Sequence, residues 1–158
     1  MSSRNFKITV FFLVIILFAS VLYMNFIHIP YHNYHNNLKV IRNDICETNN
    51  YQYDNYFYEH HGKDVYYIVK IKLNNDQYYV AHNTDKQLIA SLKGPFVYED
   101  QVKKSIKERY NVEVDYLDVG FENNKFVYCL KIQDENKLSY VYYSVETGEF
   151  VKAYYIED

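Results

Sequence analysis

The sequence predicts an α+β protein in which an N-terminal transmembrane helix precedes two tandem units, each with one helix packed on an antiparallel meander sheet. Three observations lead to this fold class. A long apolar stretch comes first, the rest of the chain repeats itself after 61 residues, and runs of Tyr, Val and Ile are separated by turns that contain Asn and Asp. Such runs are typical of strands joined by tight turns.

The apolar stretch is long enough to serve as a membrane anchor. Residues 8–29 read ITVFFLVIILFASVLYMNFIHI, and no charged residue occurs between Lys7 and Lys39. At about 1.5 Å per residue the stretch gives roughly 33 Å of helix, enough to cross a hydrocarbon core of ~30 Å. A cleaved signal peptide has a shorter apolar core, of ~7–15 residues, and an A-x-A site, which is missing here. The sequence therefore favours an uncleaved anchor.

The charges around the anchor predict its orientation. Arg4 and Lys7 precede it together with the terminal amine. Basic residues stay on the cytoplasmic side of a membrane, so residues 1–7 are predicted to form a short cytoplasmic tail. Residues 38–158 are then extracytoplasmic, and the protein is expected in the cell membrane as a single-pass protein.

The chain after the anchor contains one pattern twice. A shift of 61 residues matches strand positions and also a pair of helix positions spaced four apart, as on one helix face. The matches are Tyr67 with Tyr128, Lys70-Ile71 with Lys131-Ile132, Tyr79-Val80 with Tyr140-Val141, and Ile41 and Ile45 with Val102 and Ile106. The pair Gly94-Pro95 marks the boundary, so the first repeat is predicted at 36–94 and the second repeat at 95–158.

Each repeat is predicted to be a helix followed by four strands. The helices are expected near Asn36–Asn49 and Tyr98–Tyr110. The strands are expected near Tyr51–Glu59, Val65–Leu73, Gln77–His82 and Gln87–Leu92 in the first repeat, and near Val112–Phe121, Lys125–Gln133, Leu138–Ser144 and Glu149–Ile156 in the second. A sheet this small cannot bury its own apolar face, so each helix is expected to cover the meander that follows it.

Alternation along the strands predicts which face each helix covers. Side chains two apart share a face, so the covered faces are expected to carry Tyr67, Val69 and Ile71, and Tyr128, Leu130 and Ile132. The opposite faces are also apolar in mid-strand, at Ile68 and Cys129. These two residues either pack between the repeats or lie on an outer face covered by tyrosines, and the sequence leaves both open.

Composition excludes several classes of protein. With 49% hydrophobic and 19% aromatic residues the chain is globular. Its two cysteines, Cys46 and Cys129, form no CxxC and fit neither a disulfide scaffold nor a zinc site, and we expect no bond between them. The chain after the anchor has 15 basic and 20 acidic residues, a net charge of −5, which excludes a basic surface for nucleic acid or anionic lipid.

Nothing in the sequence forms a recognised catalytic motif. A hydrolase needs a nucleophile, a base and an orienting group. Cys129 falls in mid-strand, where a packed thiol is far more frequent than a nucleophile, and four glycines exclude most phosphate loops. The histidines beyond the anchor are His32, His35, His60, His61 and His82. We therefore predict a protein that is not an enzyme, with no catalytic or cofactor-binding residue.

Two patterns have the residue types of a metal site. His28, His32 and His35 are spaced like metal ligands, but a polar collar where the anchor meets the lipid headgroups is the favoured interpretation. Asp134-Glu135 and Glu157-Asp158 are acidic pairs. Solvated charge is favoured there, because neither pair supplies the ~6–8 oxygens that calcium requires. No metal-binding residue is therefore predicted.

Several segments carry a resemblance to a known family. The closing stretch YVYYSVETGEFVKAYY resembles the PepSY hallmark, an alternating strand, an acidic-Thr-Gly turn and a last strand. Together with DVYYIVK (64–70), QYYVAHN (77–83), YEDQVKKSI (98–106) and YYSVETGEFVK (142–152), it makes the whole chain similar to the bacterial TseB-like (YpmB) family. That family has a short cytoplasmic N-terminus, one anchor and two tandem cystatin-like units.

The resemblance implies a function without catalysis. The family is associated with the control of cell-wall elongation through membrane-bound penicillin-binding proteins of Gram-positive bacteria, and brings no catalytic residues. We therefore expect a regulator that binds a penicillin-binding protein or a similar envelope partner, with no cofactor, no nucleic acid and no small-molecule substrate. The alternative is a PepSY- or cystatin-like inhibitor of an extracellular protease, although the inhibitory Gln-x-Val-x-Gly hairpin is not in the sequence.

Overall fold

The computed structural model describes the backbone of residues 3–134 and 137–157, and the side chains of residues 9–133 and 137–156. The helices are α1 (Ser3–Tyr23), a π-helical turn (Met24–His28), α2 (Ile29–Thr48) and α3 (Glu99–Tyr110). The strands are β1 (Gln52–His61), β2 (Val65–Leu73), β3 (Asp76–His82), β4 (Leu88–Lys93), β5 (Asp118–Glu122), β6 (Lys125–Asp134), β7 (Lys137–Ser144) and β8 (Phe150–Glu157).

The eight strands form two antiparallel meanders. The first sheet has the order β1-β2-β3-β4 and the second sheet the order β5-β6-β7-β8. The prediction of a mixed α+β chain, with an apolar N-terminal helix before two four-stranded antiparallel sheets, is confirmed. The chain divides into two compact bodies, Met1–Ile41 and Arg42–Asp158, and both sheets belong to the second body.

The N-terminal body is helical and apolar. Within the described part of the chain, one helix is long and apolar enough, by length and composition, to cross a membrane. Its apolar side chains from Val10 to Phe18 are all exposed. An exposed, uniformly apolar helix of this length matches the predicted anchor in composition and size.

Two element boundaries differ from the prediction. The helix before the first sheet does not begin at Asn36, because helical residues run without a break from Ser3 to Thr48. Strand β5 begins at Asp118 and not at Val112. Val112 and Val114 are half-buried against the core as a connecting segment, so their alternation reflects packing and not strand pairing.

The first sheet is covered on one face by the end of α2. Ile45, near the end of that helix, is fully buried. Arg42 lies over the ring of Tyr53 at 4.8 Å, and Tyr51 packs edge-on against His82 at 5.9 Å. The ladder places His82 opposite Tyr67, on the face of Tyr67, Val69 and Ile71. The predicted covered face of the first sheet is therefore the one that the helix covers.

The other face of the first sheet packs against the second repeat. Ile68 is fully buried in a core that also contains Val102 and Ile106 of α3 and Tyr128 of the second sheet. Aromatic contacts continue this packing, with the rings of Tyr66 and Phe121 5.2 Å apart. The first sheet is thus buried on both faces.

The second sheet is buried on one face. Helix α3 places Val102 and Ile106 against the face that carries Tyr128, Ile132 and Val141. The hydroxyl of Tyr128 also donates to the carbonyl of Val97 just before the helix, at 2.7 Å. Along β6 the residues between these, Val127, Cys129 and Lys131, point to the opposite face, where a cleft opens.

Candidate binding cleft

A cleft of about 970 Å³ lies on the face of the second sheet that is turned away from α3. We call it the tyrosine cleft. The ladder places Cys129 opposite Tyr142 and Tyr140 opposite Tyr154, so neighbouring strands present these side chains on one face. Its lining comprises Tyr58, His60, His61, Gly62, Lys63, Tyr116, Asp118, Glu122, Asn123, Cys129, Leu130, Lys131, Tyr140, Tyr142, Tyr154, Tyr155 and Ile156.

The turn between β1 and β2 overhangs one end of the tyrosine cleft. The imidazole of His60 lies directly on Gly120 of β5, where an added Cβ would come within 2.4 Å of Nδ1. Gly62 lies equally close to Glu122, because an added Cβ would be 2.0 Å from Oε1 of Glu122. Two of the four glycines in the chain are therefore needed for the turn to reach the second sheet.

Strand β1 is fixed along the outer edge of β5. The hydroxyl of Tyr56 accepts the backbone N–H of Val119, a strand group that no neighbouring strand takes up on that side. The phenol of Tyr56 thus replaces the strand carbonyl that would otherwise accept this N–H, and a buried N–H needs such an acceptor. This hydrogen bond fixes β1 of the first sheet against β5 of the second sheet close to the overhanging turn.

Three ionisable side chains form a network at the end of the cleft. His60 and Glu122 are both buried, and Nε2 of His60 lies 3.2 Å from Oε1 of Glu122. The second carboxylate oxygen of Glu122 accepts from Nζ of Lys152 at 2.7 Å, and Lys152 also reaches the hydroxyl of Tyr154 at 2.9 Å. Because an ionised carboxylate only accepts, a neutral His60 must carry its proton on Nε2.

The network holds its members in definite charge states. Burial lowers the pKa of His60 more than the Glu122 carboxylate raises it, so the imidazole is neutral at neutral pH. Burial opposes ionisation of Glu122, but hydrogen bonds from Lys152 and His60 outweigh it and hold the pKa of Glu122 below its usual value. Burial likewise acts against the charged Lys152, yet its bonds to Glu122 and Tyr154 raise its pKa. Glu122 and Lys152 are therefore an ion pair.

The thiol on the cleft floor is not activated. Burial, with the nearby carboxylates of Asp118 and Glu122, raises the pKa of Cys129 to about 12. Its Sγ lies 3.3 Å from the backbone carbonyl of Asp118 and donates to it. A nucleophilic cysteine needs a lowered pKa and a neighbouring cation or base. Cys129 has the opposite environment and is a packed thiol.

Aromatic side chains dominate the rest of the lining. Nζ of Lys152 lies 4.8 Å from the ring centre of Tyr142 and 4.6 Å from that of Tyr154, so the ammonium sits between two rings. These rings meet edge-to-face at 6.0 Å. Burial raises the pKa of Tyr142 to about 12, which keeps its phenol neutral. In chemical terms, the described part of the cleft offers aromatic surface and hydroxyl groups but no activated nucleophile.

Strand β8 forms one wall of the cleft and is also the outermost strand of its sheet. Among the described strands it pairs with β7 alone. Its exposed apolar side chains lie on both faces of the strand and are Phe150, Val151, Tyr154, Tyr155 and Ile156. An edge strand with exposed apolar groups on both sides is a template for pairing with another chain unless something covers it.

The residues singled out from the sequence lie mostly elsewhere. The rings of His28 and His32 stack at 6.3 Å, and His35 packs against Tyr31 at 4.2 Å. Among the described side chains, no group of three or more His, Cys, Asp or Glu could hold a metal ion. Glu135 and Asp158 lie outside the described residues, as do the side chains of their neighbours in the two acidic pairs, Asp134 and Glu157.

The two cysteines and His82 have structural surroundings. Cys46 and Cys129 are both free, as predicted. His82 is fully buried and its Nδ1 lies 2.9 Å from the carbonyl of Lys86. Of the predicted pair Ile68 and Cys129, only Ile68 packs between the repeats, whereas Cys129 faces the cleft.

Sequence reasoning missed the network of His60, Glu122 and Lys152. These residues are 30 or more positions apart and fall in no motif. The one local signal is Gly120, a glycine within an apolar strand pattern, which indicates close approach of another part of the chain. That signal predicts a contact but does not identify its partner.

Comparison with known proteins assigns this chain to no family. No family model matches the chain, and no curated protein does. The crystal structure of a presumed lipoprotein from Clostridium difficile 630 aligns with a TM-score of 0.34 and 14% identity, over 78% of this chain and 92% of that one. Because this score does not establish a common fold, the TseB-like membership and the cystatin-like assignment stay predictions from the sequence.

Proposed function

We propose that this protein is a single-pass, membrane-anchored, non-enzymatic regulator of cell-wall elongation that binds a penicillin-binding protein outside the cell membrane. Three observations support the proposal. Residues 8–29 have the length and composition of an anchor. The resemblance to the TseB-like family covers essentially the whole chain. His60, Glu122 and Lys152 at the end of the tyrosine cleft neutralise one another, and the described part of the cleft has no activated nucleophile beside them, which suits a binding surface.

The observation that carries the proposal is the exposed strand β8. The outer backbone groups of an edge strand can accept an additional strand, and pockets beside alternate side chains then select its sequence. Val151 is 40% exposed and lies at the register irregularity of β8, between Phe150 and Lys152. Exposed apolar groups on a strand edge are normally covered by a partner or blunted by charge. We infer that the penicillin-binding protein covers this edge.

The anchor assists binding by restricting the search for the partner. With residues 1–7 in the cytoplasm and residues 38–158 outside, both proteins diffuse in one membrane. Restriction to a common surface raises the effective concentration of one partner around the other without any new contact. A modest interface on β8 is then sufficient for regulation.

A lysine on the edge strand tests the proposal. Val151→Lys places a charge where the partner strand would pair, and we expect retention of the partner to fall at least about tenfold, since desolvating an unpaired lysine is costly. The matched control is Ile89→Lys, because Ile89 is 45% exposed on β4, the outer strand of the first sheet. Full-length protein is purified from membranes, and retained penicillin-binding proteins are read with a fluorescent penicillin.

The two variants separate the outcomes. Loss of the labelled band for Val151→Lys, with retention for Ile89→Lys, supports the proposed function. Equal retention by both variants contradicts the role of β8. Absence of any penicillin-labelled protein from the wild-type sample, with an extracellular protease retained in its place, supports protease inhibition instead.

A further inference from the structure

We propose that the tyrosine cleft binds a neutral glycan, a chain of pyranose rings that carry hydroxyl or acetamido groups. This inference goes beyond the proposed function, because it assigns a second ligand to a different surface of the same sheet. It rests on three features of the cleft. The buried charges at its base are paired, its lining is rich in aromatic rings, and the backbone hydrogen-bonding groups of its floor are used by neighbouring strands. The volume of about 970 Å³ lies at the upper end of the ~300–1,000 Å³ typical of ligand sites.

The charges at the base of the cleft are already compensated. The buried carboxylate of Glu122 is bonded to both His60 and Lys152. An ionic ligand would have to displace one of these partners and leave a buried charge unpaired, which costs several kcal/mol. The other charged side chains of the lining are Lys63 and Lys131, which are solvent-exposed, and Asp118, whose pKa is raised by burial so that its ionised form is disfavoured. Exposed charges contribute little to affinity. A neutral ligand avoids both problems.

The aromatic surface suits the apolar side of a sugar ring. Six tyrosines line the cleft, at positions 58, 116, 140, 142, 154 and 155. A pyranose ring presents C–H groups on its face and hydroxyls around its rim, so it can lie on a tyrosine ring while its hydroxyls bond to the polar groups beside it. Tyr116 is 71% exposed and Tyr154 is 53% exposed, which leaves aromatic surface free for such stacking.

The backbone of the floor disfavours a peptide ligand. Extended peptides bind by adding main-chain hydrogen bonds to a strand edge. The floor strands β6 and β7 are both interior strands of the sheet, and their backbone groups are taken up by neighbouring strands. The cleft therefore offers hydroxyl, ammonium and carboxylate side chains, which are groups that bond to sugar hydroxyls and acetamido carbonyls.

The test is calorimetric titration of the full-length protein in lipid nanodiscs, which contain no sugar-based detergent. The probes are a short chitin oligosaccharide, a cellulose oligosaccharide and an unstructured peptide of similar mass. We expect at least one oligosaccharide to bind with an affinity that is nearly independent of salt, because no charge is neutralised. Tyr116→Ala should weaken this binding about tenfold through loss of stacking.

The matched control is Tyr98→Ala. Tyr98 is 78% exposed, outside the cleft lining, so its removal should leave glycan binding unchanged. The proposal is overturned if neither oligosaccharide binds at millimolar concentration, if Tyr116→Ala binds as well as wild type, or if the peptide alone binds. Val151→Lys should retain glycan binding, so failure of the penicillin-binding protein to co-purify and failure of the glycan to bind are separate results.

Discussion

The two sheets have the same strand order but different surroundings. The first sheet is buried on both faces, by the end of α2 and by the second repeat, whereas the second sheet is covered by α3 on one face and carries the tyrosine cleft on the other. A sheet buried on both faces has no face free for a ligand. We therefore propose that the function belongs to the copy whose second face carries the cleft.

One pair of equivalent positions shows this difference most clearly. Ile68 and Cys129 are related by the 61-residue shift and occupy the middle of corresponding strands. Ile68 is fully buried in the shared core, while Cys129 lies in the floor of the tyrosine cleft. The same strand position is part of the core in one copy and of the candidate binding cleft in the other.

Truncation at this pair gives the largest expected effect. Ile68→Ala should lower the free energy of unfolding by about 2–5 kcal/mol, because it leaves a cavity in a closed core. Cys129→Ala should cost less than about 1 kcal/mol, since a small side chain beside an open cleft leaves little cavity. Urea unfolding of the full-length variants in detergent measures both. Equal losses at the two positions would show that both sheets are equally enclosed.

A methyl group added at Gly120, where the two sheets meet, should have the next largest effect on the free energy of unfolding. Gly120→Ala puts a Cβ into the ring of His60, and overpacking of this kind costs about 1–3 kcal/mol. His60→Ala removes the clashing ring. The double variant should therefore be less destabilised than the sum of the two single changes, with a coupling of about 0.5–3 kcal/mol. Simple additivity in a double-mutant cycle would place the ring away from Gly120.

The buried histidines should make stability depend on pH. Burial lowers the pKa of both His60 and His82, so below about 6.5 the unfolded chain binds more protons than the folded chain. The melting temperature should therefore fall as the pH decreases from about 7 to 5, and recover as it rises. Replacing both histidines by glutamine should flatten this dependence. The matched substitution at an exposed position of the same turn is His61→Gln.

Thiol labelling tests the floor of the cleft without any change in stability. Burial raises the pKa of Cys129 to about 12, against an ordinary value of ~8.5, so its thiolate is more than a thousandfold scarcer at pH 8. Iodoacetamide should therefore alkylate Cys129 in the folded protein far more slowly than in urea. Mass spectrometry of peptides after timed labelling measures the two rates. Rapid labelling in the folded state would reveal an activated thiol in the cleft.

The sequence predicts the fold better than the site for a physical reason. The meanders follow from local alternation and turn residues, and β2 is predicted at its observed bounds, Val65–Leu73. Strand β5 begins later than predicted, because Val112 and Val114 alternate with polar residues as contacts to the core and not as strand residues. The network of His60, Glu122 and Lys152 depends on contacts between distant segments, which no local period encodes. Gly120 alone indicates that contact.

The most direct test of the role of β8 is site-specific photo-cross-linking in cells. A photoreactive amino acid replaces Val151 on the edge of the second sheet or Ile89 on the edge of the first sheet, which have similar exposure. We predict a cross-link to a penicillin-binding protein from position 151 and none from position 89. A cross-link from position 89 with none from position 151 would contradict it, since the binding surface would then belong to the sheet that we assign to structure.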